Sequence, residues 1–244
     1  MTQPYSEDYY TNRQAGVMRS ADVIVPMIME WVQPASVLDV GCGMGGWLAT
    51  FARHGVRDFL GTDGDYVDRT RLVIPQDQFV PRDLSHPLRL GRTFDLVVSL
   101  EVAEHLPERS AVGFVESLTS LGPIVLFSAA IPLQGGRGHV NEQWPRYWAE
   151  MFAGHDYVAV DCVRRRVWEN DDVQWWYAQN TILYVRRDQL ANSAALKREL
   201  DAAPPPPASL VHPKQYRALH KWWHDAYNEL RAAAASRAPE AANP

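Results

Sequence analysis

The chain has 244 residues, 46% of them hydrophobic and 22% charged, which is enough to bury one sizeable core within a single main α/β domain. A formal charge of -5 and a pI near 5.9 give no overall attraction to phosphate polymers or anionic lipid, which disfavours nucleic acid and a membrane surface as partners. Two cysteines are too few for a disulfide framework, the polar N-terminus lacks a signal-peptide layout, and no apolar run is long enough to span a bilayer. The expected setting is therefore a reducing, cytoplasmic one.

In chain order, Pro4 to Trp31 predicts a mostly helical segment that caps a ligand site, within a leading cap of residues 1–35. Apolar runs bounded by Gly, Pro and Asp then recur at Ser36 to Val40, Asp58 to Thr62, Gln78 to Val80, Phe94 to Leu100 and Ile124 to Ala129. Each predicts a buried strand of a parallel sheet. Helix-compatible stretches such as Trp47 to His54 and Ser110 to Leu121 alternate with them, the pattern of a doubly wound α/β fold. Tyr157 to Val167 and Thr181 to Val185, joined by the aromatic segment Trp168 to Asn180, predict an antiparallel hairpin at a sheet edge and complete a seven-stranded, mostly parallel sheet over residues 36–188. Residues 189–244 read as an extension. It holds a helix-like Ala/Lys/Glu piece, the spacer Pro204 to Pro207, a segment with Tyr216, Trp222, Trp223 and Tyr227, and a disordered, alanine-rich end.

In Val37-Leu38-Asp39-Val40-Gly41-Cys42-Gly43-Met44-Gly45-Gly46-Trp47, an apolar strand ends in a glycine turn from which a helix begins. Glycine lets the chain turn sharply and lets a ligand approach the backbone, and a helix N-terminus presents free N–H donors. Asp63 follows about 20 residues later, the spacing of an acid that accepts ribose hydroxyls. Asp83 and Leu84 follow the third strand, where an Asp can accept an adenine amino group. The fourth strand ends on Glu101.

In motif order and spacing, Val37 to Leu106 resembles the class I methyltransferases that use S-adenosylmethionine (SAM), which have a Rossmann-like fold. The resemblance implies that Asp39, Gly41, Cys42, Gly43 and Gly45 line the methionine half of SAM, that Asp63 holds the ribose, and that Asp83 and Leu84 flank the adenine, with Glu101 beside the cofactor.

Methyl transfer from a sulfonium needs an aligned acceptor and a way to remove its proton. Glu101-Val102-Ala103-Glu104-His105 follows the fourth strand, and on a helix its two acids and its imidazole share one face. Such a set can hold a divalent cation. ExxEH resembles the metal site of the small-RNA 3′-end 2′-O-methyltransferases and of some ubiquinone-pathway O-methyltransferases. In the RNA family a further histidine precedes an aromatic helix, and here Gly138-His139-Val140-Asn141-Glu142-Gln143-Trp144 occupies that place. The resemblance implies Glu101, Glu104, His105 and His139 as ligands to Mg2+ or Mn2+. Without a metal, His139 or His105 becomes the general base, with Glu142 behind them.

Arg137 in the QGGRG loop is a candidate acceptor contact, and the Trp, Asp, Asn and Gln residues of Trp168 to Asn180 suit a sugar. GGRGHVNEQWPRYW and WWYAQNTILYV resemble bacterial methyltransferases of glycan biosynthesis, including those acting on methylmannose oligosaccharides. That resemblance implies a sugar O-methyltransferase that forms a homodimer. The remaining readings are an RNA 2′-O-methyltransferase, a phenolic or polyketide O-methyltransferase, and a non-catalytic scaffold that uses the Trp222-Trp223 tail for docking.

Overall fold

A computed structural model describes the backbone of residues 7–236 and the side chains of 14–233. The predicted start of the first helix at Pro4 and the residues beyond 236 lie outside that range. Among the described residues, no helix is long and apolar enough to cross a membrane. Two compact units divide the chain, Met1–Leu210 and Val211–Pro244.

The first unit is built on a seven-stranded sheet: β1 Ser36–Val40, β2 Asp58–Asp63, β3 Phe79–Pro81, β4 Leu96–Leu100, β5 Ile124–Ser128, β6 Tyr157–Val160 and β7 Ile182–Arg186. The order across it is β3-β2-β1-β4-β5-β7-β6. The first five strands are parallel, and β7 runs antiparallel between β5 and β6. The doubly wound sheet is thus as the sequence predicts. The strand order reverses between β1 and β4, which run parallel, so the ends of those strands open a crevice, where ligands bind in sheets of this kind.

Alternate strand residues feed two cores because side chains along a strand point to opposite faces. Val37, Leu96, Val98 and Leu126 face one layer. It contains α1 (Glu7–Trp31), through Ala21, Ile24, Val25 and Ile28, and α2 (Gly46–Arg53), through Leu48 and Phe51. Leu38, Val97, Val125 and Phe127 face the other layer. Its helices are α3 (Ala111–Leu121), through Phe114, Val115 and Leu118, and α4 (Pro145–Ala153), through Trp148 and Phe152. Spacings of three and four residues in α1 and α3 account for the apolar stripe each helix buries.

The predicted strand Tyr157 to Val167 stops at Val160. Two short helices follow, α5 Arg164–Val167 and α6 Trp175–Asn180, so the two final strands are not directly joined. Arg164 explains the break. Its guanidinium is buried at 1% exposure and must pair its donors. It turns back onto Asp161 and donates to the carbonyls of Gln179, at 3.3 Å, and Ala208, at 2.9 Å, geometry that a continuing strand does not allow. The bond to Ala208 also ties down the end of the Pro204 to Pro207 segment, which the sequence suggests is a free spacer.

Helices α7 (Arg187–Asn192) and α8 (Ala194–Ala202) close the first unit, and α9 (Pro213–Ser236) lies in the second. Glu199 on α8 accepts from Arg165 and Arg166 of α5, and the Arg166 guanidinium lies 4.8 Å from the centre of the Trp31 ring at the end of α1. The arginines hold the Glu199 carboxyl below its usual value of 4.5. Its ionised form therefore stabilises the fold fully above that value, and the contribution is lost as pH falls through the lower folded value. Glu199→Ala is expected to cost about 1–3 kcal/mol in urea unfolding at neutral pH, because it removes charge-assisted hydrogen bonds. The difference from the native chain should shrink as the pH is taken below the carboxylate range.

Candidate functional site

A cavity of about 1210 Å³ opens where β1, β2 and β4 end. Asp39, Gly41, Cys42, Gly43, Asp63, Asp83, Leu84, Glu101 and His105 all line it, as do Gln14 and Val17 of α1. Helix α1 therefore borders the site, in keeping with its predicted capping place.

The glycine turn is shaped by two demands. At Gly41, with φ +86°, a Cβ would come within 2.3 Å of the Val102 side chain, so the turn after β1 can close on the turn after β4 only without a side chain. At Gly43, with φ +53°, a Cβ would meet nothing within 4 Å, which leaves open backbone facing the cavity. Gly45 differs from the sequence reading. It stands outside the cavity lining and precedes α2, packed against Ile74.

Asp63 holds the turn from β2. One oxygen accepts the Gly43 N–H at 2.8 Å; the other accepts the Gly64 N–H at 2.7 Å and the Tyr66 hydroxyl at 2.5 Å. Partial desolvation of its hydroxyl end and the adjoining Asp63 push the Tyr66 phenol up, although the residue as a whole is largely exposed. Asp39 is 2% exposed, and one of its oxygens is buried without a hydrogen-bond partner. Burial, and then the charge of Asp63, raise the Asp39 carboxyl well above the usual range. Burial and the same acids raise the Cys42 thiol, which makes it a packing residue and not a nucleophile. Asp83 is exposed, and its carboxylate is engaged by Ser85 and His86. Leu84 is buried beside it.

The ExxEH block does not form the expected helix. Glu101 takes a left-handed φ of +57°, and a single 3-10 turn, Ala103–His105, follows. The Glu101 N–H is held by both the carbonyl and the hydroxyl of Ser128, at 3.0 Å each. Its carboxylate accepts from Gln134 at 2.8 Å and Asn180 at 3.1 Å. Burial raises its pKa, and these amides oppose the rise. Both oxygens of Glu101 are thereby engaged by amides, while its charge still reaches Glu104 and His139.

Glu104, His105 and His139 come together, each offering a ligand atom within 4.8 Å of the others. The two imidazoles meet edge to face, with centroids 4.8 Å apart. The loop that brings His139 is fastened to the 3-10 turn by backbone bonds. The N–H groups of Val140 and Asn141 both donate to the Glu104 carbonyl, at 2.8 and 3.0 Å. The Glu104 side chain is fully buried, and neither carboxylate oxygen has a hydrogen-bond partner. Burial and the nearby Glu101 push its pKa well above the usual range. An unpartnered carboxylate beside two imidazoles is the donor set that a divalent cation takes, so these three residues fit one. The fourth expected ligand, Glu101, is instead bound by Gln134 and Asn180.

Glu142 is placed as a clamp. Its oxygens accept the Leu133 and Gly135 N–H groups and His139 Nδ1, all at 2.8 Å. A carboxylate with three donors on it is poorly placed to serve as a base. The bond to Nδ1 sets the His139 tautomer and leaves the Nε2 lone pair for a ligand. A Cβ at Gly136 would lie 2.2 Å from Nε2, so only glycine fits against the His139 ring in this position. Arg137 is exposed on the same loop. Of the described residues of Trp168 to Asn180, Tyr177 is the one lining the cavity, edge-on to Trp47 at 5.2 Å, and the amides of Gln179 and Asn180 are taken up by Gln134. Sequence reasoning misses Tyr66 as a site residue, and it points to Gln134 and Asn180 only as parts of an acceptor-side loop and segment, not as partners of Glu101. Only the fold brings them to carboxylates distant in the chain, apart from Tyr66, which lies three residues from Asp63.

Residues 21–203, well over half of the chain, match the family model described as a methyltransferase domain. No curated protein matches the chain. The fold is similar to a magnesium protoporphyrin IX methyltransferase from Synechocystis PCC 6803 with bound SAH, at 16% identity and a TM-score of 0.53, over 76% of this chain and 90% of that one. It is similar to SAM-bound CalS10, an amino pentose methyltransferase from Micromonospora echinaspora, at 17% identity and TM-score 0.54, over 76% and 99% of the two chains. It is also similar to the sugar N-methyltransferase KedS8 from Streptoalloteichus sp ATCC 53650, at 15% identity and TM-score 0.54, over 76% and 97%. With a glycine turn, an acid after β2 and this strand order in one domain, the chain belongs to the methyltransferase domain family, as a class I SAM-dependent methyltransferase.

Proposed function

We propose that the enzyme methylates a hydroxyl of a carbohydrate, with a divalent cation, Mg2+ or Mn2+, assisting. The observation that carries this reading is the buried, unpartnered Glu104 carboxylate beside His105 and His139. A sugar hydroxyl is a weak acid and needs help to lose its proton, whereas an amine acceptor does not call for a cation. Further support comes from the sugar substrates of the two neighbours CalS10 and KedS8, from the net charge of -5, which is unsuited to nucleic acid, and from the aromatic edge of Tyr177 at the cavity.

The chain's own residues divide the work. Asp63 would release Tyr66 and take ribose hydroxyls, and Asp39 offers its unpartnered oxygen to the ammonium of the methionine half. Asp83 and Leu84 would flank the adenine. When bound, SAM supplies the methyl carbon to an oxygen approaching in line. Glu104, His105 and His139 would hold the cation, whose positive charge eases loss of the acceptor proton. In a metal-independent route His139, its Nδ1 held by Glu142, would accept that proton at Nε2.

Four outcomes are expected. With labelled SAM and an oligosaccharide panel, label should enter sugar, fall to background in chelator and return on adding Mg2+ or Mn2+. Methylation confined to RNA or to phenols would overturn the acceptor, and undiminished turnover in chelator would overturn the cation. His139→Ala should lower kcat by 10²–10⁴-fold, on the order of a lost acid–base or metal-ligand contribution, while SAM affinity measured by calorimetry stays within about twofold. Gly136→Ala should act in the same direction, more weakly. Asp63→Ala should weaken SAM binding by more than about tenfold, because a buried acceptor of charge-assisted hydrogen bonds is removed.

A further inference from the structure

The loop that carries His139 is held against its own conformational preference. Its first turn, Ile131-Pro132-Leu133-Gln134, is closed by the Gln134 N–H on the Ile131 carbonyl at 3.0 Å, and Leu133 takes a left-handed φ of +67° there, in a place that favours glycine. The Leu133 side chain is 69% exposed, so burial does not offset that strain. The run that follows, Gly135-Gly136-Arg137-Gly138, does little to fix a shape of its own. The conformation is therefore imposed by bonds to other parts of the fold.

Those bonds lie on both sides of Gln134. On one side the N–H groups of its neighbours, Leu133 and Gly135, sit on Glu142, which also holds His139 Nδ1. On the other side the Gln134 side chain reaches the end of β4 and α6. Its Nε2 donates to Glu101 at 2.8 Å, and its Oε1 accepts from Gln179 at 3.1 Å and from Asn180 at 2.9 Å. Glu101 lines the cofactor cavity, whereas no residue from Ile131 to Gln143 does. Gln134 thus bridges the cavity wall and the loop.

We propose that Gln134 is a positioning residue that couples an occupied cofactor cavity to the placement of His139. A ligand in the cavity takes the place of water beside Glu101, and hydrogen bonds to a carboxylate strengthen as the local dielectric falls. The gain falls on the Gln134 amide and, through it, on the strained turn whose flanking N–H groups share Glu142 with His139. His139 is then fixed for an acceptor only once the methyl donor is in place. This coupling rests on the proposed function only for SAM in the cavity and His139 at the acceptor; it holds for any acceptor, with or without a cation.

Hydrogen exchange of the full chain, with and without S-adenosylhomocysteine, tests the coupling. In the native chain the ligand should slow exchange of the amides from Leu133 to Asn141 by about fivefold or more, the lower end of coupling between distinct sites. Gln134→Met keeps the length of the side chain without its amide, and there the slowing should vanish while calorimetry still shows the ligand bound. Gln134→Glu keeps an acceptor for Gln179 and Asn180 but sets a like charge against Glu101, and it should lose the slowing too. A side chain that merely filled space would leave the ligand-dependent difference intact in Gln134→Met. Absence of slowing in the native chain would overturn the proposal. So would slowing retained in either variant that folds, which would assign the coupling to the His105 ring, since that residue lines the cavity and lies edge-on to His139 at 4.8 Å. Failure of every sugar in the methylation panel would overturn the acceptor and leave these exchange rates as they are.

Discussion

The site depends on how closely the turn after β4 approaches the turn after β1. Val102 sits where a side chain on Gly41 would be, and Glu101 is driven into a left-handed conformation to put it there. A non-glycine residue with positive φ is strained and persists only where its surroundings hold it. Here Ser128, at the end of β5, binds the Glu101 N–H twice, and Gln134 and Asn180 bind its carboxylate. Three strand ends and α6 are thus locked at one point. The cofactor turn and His105 of the Glu104, His105 and His139 cluster line one cavity beside that point.

This arrangement separates two carboxylates that sit three residues apart. Each Glu101 oxygen accepts from one amide, whereas Glu104 is equally removed from water and its carboxylate oxygens meet no well-formed hydrogen-bond donor, only weaker help from the Glu104 and Ala130 backbone. A buried carboxylate without partners is costly, and its raised pKa is the expression of that cost. The same contrast separates His139 from Glu142. The carboxylate is used up in holding the loop, so the imbalance is passed to a single imidazole nitrogen aimed beside Gly136. Polar groups left unsatisfied in otherwise complete networks are where a protein holds chemistry in readiness.

On the cofactor side, Asp39 and Asp63 concentrate negative charge within a largely apolar wall. Both raise the cost of ionising Cys42, and Asp63 does so for Asp39 and Tyr66, so a ligand carrying positive charge relieves that repulsion. Ligand charge and site charge are complementary, and the acidic pair favours a sulfonium ligand over an anionic dinucleotide.

The sheet and its helices were legible in the sequence because burial on both faces forces unbroken apolar runs, and such runs lie at β1, β2, β4 and β5 almost as the chain reads. The glycine turn and Asp63 were legible too, since the backbone conformation they need restricts residue type locally. Other features rest on contacts between distant segments. Arg164 ends β6 early by reaching Gln179 and Ala208, Glu101 leaves the ExxEH group for Gln134 and Asn180, and Glu142 becomes a clamp by meeting the loop before it. None of these contacts leaves a period or a spacing in the sequence. By itself the sequence determined the layers, the strand order's raw material and the residue types at the donor site. Which carboxylate is satisfied and which is left open was decided only when tertiary packing brought the amides to one and withheld them from the other.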